Sequence, residues 1–190
     1  MRTIKEFEKE IRERENLIMN ILILKRDYEF LSMPDNPGLA IFFNKRPIFA
    51  RSKNAIFKLL CIEVYKLFST SRFDHFKWTS LLEKIKEHKG KSDWKKKLSK
   101  DDLNRINRLI NEGVRNEAIK ALKKYRNEYL AHTDISRTEA TFFVNKFYRL
   151  IDISLEIINL LRTKILGEQF SLDIYLPNDG FDEIRNLAAD

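Results

Sequence analysis

Apolar residues recur with helical period along most of this chain, and the pattern predicts an all-α fold. Ile4, Phe7, Ile11, Ile18, Ile21, Tyr28 and Leu31 fall on one stripe, which predicts a first helix from about Thr3 to Leu31. Pro34, Pro37, Gly38 and Pro47 then bracket a connection. A second helix, from about Pro47 to Ser69, is apolar nearly all round, with Ile56, Phe57, Leu59, Leu60, Ile62, Val64, Tyr65, Leu67 and Phe68. Such a helix must be covered on several sides. A shorter helix is expected to begin at Ser80, which with Glu83 reads as a capping box, and to end before Gly90. The next starts near Ser99, whose neighbours Asp101 and Asp102 are a further capping signal, and carries Leu103, Ile106, Leu109, Ile110, Val114, Ala118, Leu122 and Tyr125. Gly113 is the candidate point for splitting it in two. The last helix opens at Ser136 with Glu139 three residues on, and runs to about Leu166 before Gly167. The expectation is an up-and-down bundle of about four long helices plus a short one. Residues 1–167 form one helical domain in this reading, and 168–190 a C-terminal arm packed on it, because the tail holds too little apolar surface for a domain.

One stretch departs from a single apolar stripe. Leu150, Ile151, Ile153, Leu155, Ile157, Ile158, Leu160 and Leu161 fill eight of the twelve positions from Leu150 to Leu161. A helix on the outside of a bundle needs only one buried face. Two apolar faces imply that this helix meets both its own core and something else, either a second subunit or the first helix and the tail folded over it.

Composition narrows the class. The chain has 190 residues, long enough for one domain with a sizeable core. Five glycines and four prolines suit long helices and argue against a turn-rich β architecture. The one cysteine, Cys61, cannot form an internal disulfide and lies in an apolar run, where it reads as a small core residue. No zinc-ligand spacing is present, and no cofactor is expected. The N-terminus mixes charges of both signs, unlike a signal or transit peptide. Leu17–Leu24 is too short to span a membrane, so the expected location is the cytoplasm.

A net charge of +8 favours polyanionic partners. The basic residues crowd one region, with Lys84, Lys86, Lys89, Lys91, Lys95, Lys96, Lys97 and Lys100 around Trp94. Two readings stand side by side. In one, Lys84, Lys86, Lys95, Lys96 and Lys97 form an electrostatic platform for RNA backbone and Trp94 stacks on a base. In the other, the lysines are a solvated loop and the tryptophan packs inward.

The segment Lys124-Tyr125-Arg126-Asn127-Glu128-Tyr129-Leu130-Ala131-His132-Thr133-Asp134 carries the chemistry. It combines a fixed cation, an amide and a group that exchanges protons near pH 7. Cleaving a phosphodiester without metal needs a proton acceptor for the attacking hydroxyl and positive donors for the phosphate. In an unbroken helix Arg126 and His132 are separated by about 9 Å of rise and start about 120° apart. They converge only if the arginine swings round, if the helix unwinds before His132, or if residues from two subunits meet. A structural account is also open, in which His132 bonds backbone carbonyls at a helix end and Arg126 pairs with Glu128 or a neighbouring helix. His75 and His88 have no convergent partners visible in the sequence and read as structural or solvated.

The arginine, the polar residue after it, the four spacers and the histidine, set late in one helix and followed by a long last helix, resemble the signature of the HEPN (higher eukaryotes and prokaryotes nucleotide-binding) family. The Ala131-His132-Thr133-Asp134 ending is most similar to its abortive-infection branch. The resemblance covers most of the chain, so that 1–167 becomes a HEPN-like domain. It implies a C2 homodimer in which arginine and histidine from two protomers line one cleft. It also implies metal-independent cleavage of RNA by attack of the 2′-hydroxyl on the adjacent phosphate, in a toxin or anti-phage defence protein. By that likeness Arg126 holds the phosphate, His132 exchanges the proton, and Asn127 bonds phosphate or orients the histidine. An antitoxin protein is a candidate partner. Some HEPN toxins carry a modifiable tyrosine two residues after the histidine; Asp134 stands there in this chain, so silencing by that route is not expected. The alternative is a non-catalytic HEPN-like module for RNA binding or protein interaction.

Overall fold

The computed structural model describes residues 4–32, 34, 37–87, 98–126, 144–169 and 181–189. All regular structure among them is helical: α1 (Ile4–Ser32), α2 (Pro37–Asn44), α3 (Pro47–Phe68), α4 (Trp78–Glu87), α5 (Lys100–Arg115), α6 (Glu117–Tyr125), α7 (Val144–Leu161) and α8 (Phe181–Ala189). The all-α expectation therefore holds. The predicted opening of the last helix at Ser136 and the loop around Gly90 lie outside the described residues.

The chain divides into two compact units, 1–18 with 62–170, and 19–61 with 171–190. In the first, α7 packs on both α5 and α6, and α4 packs on α5. Its core holds Ile11, Ile18, Val64, Leu67, Phe68, Trp78, Leu81, Ile85, Ile106, Leu109, Phe147, Leu150, Ile153 and Ile157. The indole N–H of Trp78 donates to Ser154 Oγ at 3.3 Å, and Ser154 donates to the Leu150 carbonyl at 2.9 Å, so both polar groups are satisfied inside the core. In the second unit, α2 packs on α8. Phe30 and Phe181 stack with centroids 3.8 Å apart, and Arg26 and Arg185 each lie over one of the two rings.

Several local outcomes differ from the sequence pattern. The stretch bracketed by prolines contains α2, because Pro37 sits at the first helical position, where its missing N–H costs nothing. Leu39 and Phe43, one turn apart, are its buried face. Helix α4 begins at Trp78, so Ser80 lies inside the helix and does not cap it. Ser99 does cap α5: its hydroxyl accepts from the Asp102 N–H while Asp102 accepts from the Ser99 N–H, a reciprocal box. The break expected at Gly113 occurs at Asn116, which is extended (φ −60°, ψ 131°), ends α5 and caps α6 through its side-chain oxygen. Gly113 has another role: a Cβ there would run into the Phe68 ring, so the missing side chain lets α5 approach the end of α3.

In α1 the position between Ile11 and Ile18 on the apolar stripe is Arg14, which is 1% exposed. Its guanidinium donates to the carbonyls of His75, Phe76 and Lys77 and to that of Glu10. Burial lowers its pKa to about 10, with Glu10 and Glu13 acting the other way. Past α7, Arg162–Leu166 forms a π turn closed by Gly167, whose φ of 72° is the left-handed conformation glycine adopts freely. Buried Arg162 pairs with Glu15 of α1 and with Glu168, which also accepts from Arg12 at 2.7 Å.

The doubly apolar stretch of α7 is mostly covered within the chain itself. Leu150, Ile151, Ile153, Ile157, Ile158 and Leu161 are buried, and Leu155 and Leu160 are half-buried. No helix among the described residues is long and apolar enough to cross a membrane.

Candidate functional site around Arg126

Helix α6 delivers Arg126. Asn116 starts the helix, Ala118, Ile119 and Leu122 bury its inner face, and Lys120, Lys123 and Lys124 stay exposed. Arg126 follows with helical dihedrals (φ −55°, ψ −47°), and its N–H bonds the carbonyls of Leu122 and Lys123. Its side chain is exposed, and the guanidinium carbon lies 5.3 Å from the centroid of the Tyr65 ring. Tyr65 is 4% exposed and belongs to the last turns of α3. A buried aromatic face beneath an exposed guanidinium limits its rotamers while its in-plane N–H donors stay available to an anion. No carboxylate partner of Arg126 occurs among the described residues.

Asn127 and His132 lie outside the described residues, as do Trp94, Lys95, Lys96, Lys97 and His88. Two residues of the lysine platform are described. Lys84 donates to both carboxylate oxygens of Glu10 at 2.8 Å, which ties α4 to α1. Lys86 is exposed. His75 is exposed and enters the fold through its carbonyl, which accepts from Arg14. Cys61 is buried, and burial pushes its thiol well above the ordinary range, so it carries no reactive thiolate. Among the described residues no group of three or more His, Cys, Asp or Glu side chains is placed to hold a metal ion.

The HEPN_AbiU2 family model, described as AbiU2, matches residues 10–185. The chain belongs to this family. HEPN_AbiU2 is a HEPN-type abortive-infection family, and membership suggests an abortive-infection, HEPN nuclease-like function. The match runs through the whole motif, from Arg126 to His132. No curated protein and no solved structure matches the chain.

Tyr65 is the residue of this HEPN_AbiU2 site that sequence reasoning missed. In the sequence it reads as one more apolar position of a helix buried all round. The available signal was its type: a tyrosine combines a flat π face with a polar tip, which an isoleucine or leucine at that position would not.

Proposed function

We propose that this HEPN_AbiU2 chain is a metal-independent endoribonuclease, acting as a growth-arresting toxin or anti-phage defence protein. The single observation that carries the reading is the family match through Arg126, Asn127 and His132. The exposed guanidinium over Tyr65 supports it, since it suits a phosphate ligand. In the proposed reaction His132 takes the proton of the 2′-hydroxyl, whose oxygen attacks the adjacent phosphorus. Arg126 balances the charge that builds on the non-bridging oxygens. The 5′-oxygen leaves and receives a proton from the imidazolium, giving a 2′,3′-cyclic phosphate and a 5′-hydroxyl. Asn127 bonds the phosphate or orients the imidazole. The site is composite, with the two motif segments of a C2 homodimer lining one cleft. RNA is the substrate, and an antitoxin protein is the expected restraint in the cytoplasm.

The test is cleavage of RNA by the purified chain in the presence of EDTA, with product ends analysed. A 2′,3′-cyclic phosphate lost in both His132→Ala and Arg126→Ala supports the reading. Cleavage at a site carrying 2′-deoxyribose would overturn it, and a folded dimer without cleavage would assign the chain to the non-catalytic members.

A further inference from the structure

Helix α5 carries a row of polar residues on the side away from the core. Asn104, Asn107, Arg108, Asn111, Glu112 and Arg115 line one open, shallow groove along its outer side. Their spacing follows the helical repeat, while Ile106, Leu109, Ile110 and Gly113 face the core. Asn104, Arg108, Asn111 and Arg115 are exposed, and Asn107 is half-buried. The one acid in the row is already engaged: Glu112 accepts from Arg149 of α7 at 2.7 and 3.3 Å. Arg108 and Arg115 have no acid partner among the described residues. Two guanidiniums seven residues apart are therefore held about 10 Å from one another along the axis, with amides between and before them.

This set has a definite chemical preference. Guanidiniums bind phosphate through paired N–H donors. Each asparagine amide offers a donor and an acceptor together, the pattern that matches base edges and that a carboxylate cannot exploit. No lining residue is aromatic or aliphatic, so a protein partner would lack the apolar centre on which stable interfaces depend. We propose that the outer face of α5 is a single-stranded RNA track, on which Arg108 and Arg115 hold backbone phosphates and Asn104, Asn107 and Asn111 bond bases. The inference rests on the nuclease reading for its biological sense, and its residues are other than those of the motif and of the lysine-rich segment.

The experiment measures binding of a fluorescently labelled single-stranded RNA of mixed sequence to the full chain carrying His132→Ala, which blocks cleavage. Arg108→Gln with Arg115→Gln should weaken binding and flatten its salt dependence by about 1.4 log units, at ~0.7 per lost phosphate contact. Asn104→Ala with Asn107→Ala and Asn111→Ala should cost on the order of 10-fold or more in affinity with the salt slope unchanged, as expected for three neutral hydrogen bonds. All five positions lie on one side of α5 and away from its buried residues, and thermal melting checks that each variant stays folded. Unchanged affinity and slope in both variants would overturn the proposal, as would absence of RNA binding by the parent. Equal competition by poly-glutamate would overturn the assignment to RNA. If the wild-type chain cuts RNA while the α5 variants bind normally, the track falls and the nuclease stands. If the variants lose binding but the wild-type chain never cuts, the reverse holds.

Discussion

The guanidinium carbon of Arg126 lies 5.3 Å from the centroid of the Tyr65 ring, joining the end of α6 to the end of α3. The contact gives the motif arginine a fixed support from a residue sixty-one positions earlier in the chain. An exposed cation–π contact contributes about 0.5–1 kcal/mol. Tyr65→Leu should therefore lower the rate of RNA cleavage by roughly 2- to 5-fold through a looser Arg126. Tyr65→Phe keeps the ring and should cleave as the parent does. Single-turnover kinetics on the three proteins tests this, and equal rates in all would show that the ring does not position the arginine.

Removal of the proton-exchanging group or the charge-balancing group should each be severe. His132→Ala and Arg126→Ala are expected to reduce cleavage by ~10²–10⁴, with the fold retained. The double variant should be little worse than either single one, because groups acting on one transition state are not additive. Rates that multiplied would indicate two independent contributions.

Association is a separate matter from chemistry. A composite site requires a dimer, and sedimentation at concentrations on the order of tens of micromolar should show one. With most of the apolar stretch of α7 buried in its own chain, Leu155 and Leu160 are the part left half-exposed. A monomer at that concentration would remove the composite site.

Gly113→Ala tests the close approach of α5 to α3. In an open helix the change would stabilise by up to about 1 kcal/mol. Here the new methyl meets the buried Phe68 ring, and overpacking typically costs ~1–3 kcal/mol. The variant should melt at lower temperature than the parent. Adding Phe68→Leu should recover part of the loss relative to Phe68→Leu alone, and a full sum of the two penalties would deny the contact.

Asp102 links stability to acid. The hydrogen bond from the Ser99 hydroxyl, foremost, holds its pKa below the ordinary aspartate value, with the Ser99 N–H and Lys164 acting in the same direction. A carboxylate whose folded pKa is depressed stabilises the fold above its unfolded pKa, and that contribution is lost as pH falls through the folded value. Melting temperature should thus decline below about pH 4, the ordinary aspartate range. Asp102→Ala should melt lower at neutral pH and show a shallower decline in acid. Parallel pH profiles for the two proteins would exclude the cap as a source of acid sensitivity.

Much of the fold and part of the site could be read along the chain. The helical period located α1, α3 and the start of α5 to within a residue or two, because each has long apolar runs and sharp ends such as Pro47 and the Ser99 cap. The capping pair at Ser80 and Glu83 misled, since packing of Trp78 in the core draws the helix start earlier than any local hydrogen bond would. The proline-bracketed connection concealed α2, whose eight residues are too few to display a period. Arg126 was recognisable from its spacing to His132; the α5 track was not, because polar residues at helical spacing look the same whether solvated or binding.

The sequence by itself determined the all-helical class, the basic character and the motif, since these rest on periodicity, composition and residue type, which are properties of neighbours along the chain. Tertiary structure alone decided that Gly113 serves packing and not a break, that Arg14 is buried, and that Tyr65 lies beneath Arg126. Each depends on a partner many residues away. A ring against a glycine, carbonyls around a guanidinium and an aromatic face beneath an arginine arise only when the helices that carry them are pressed together.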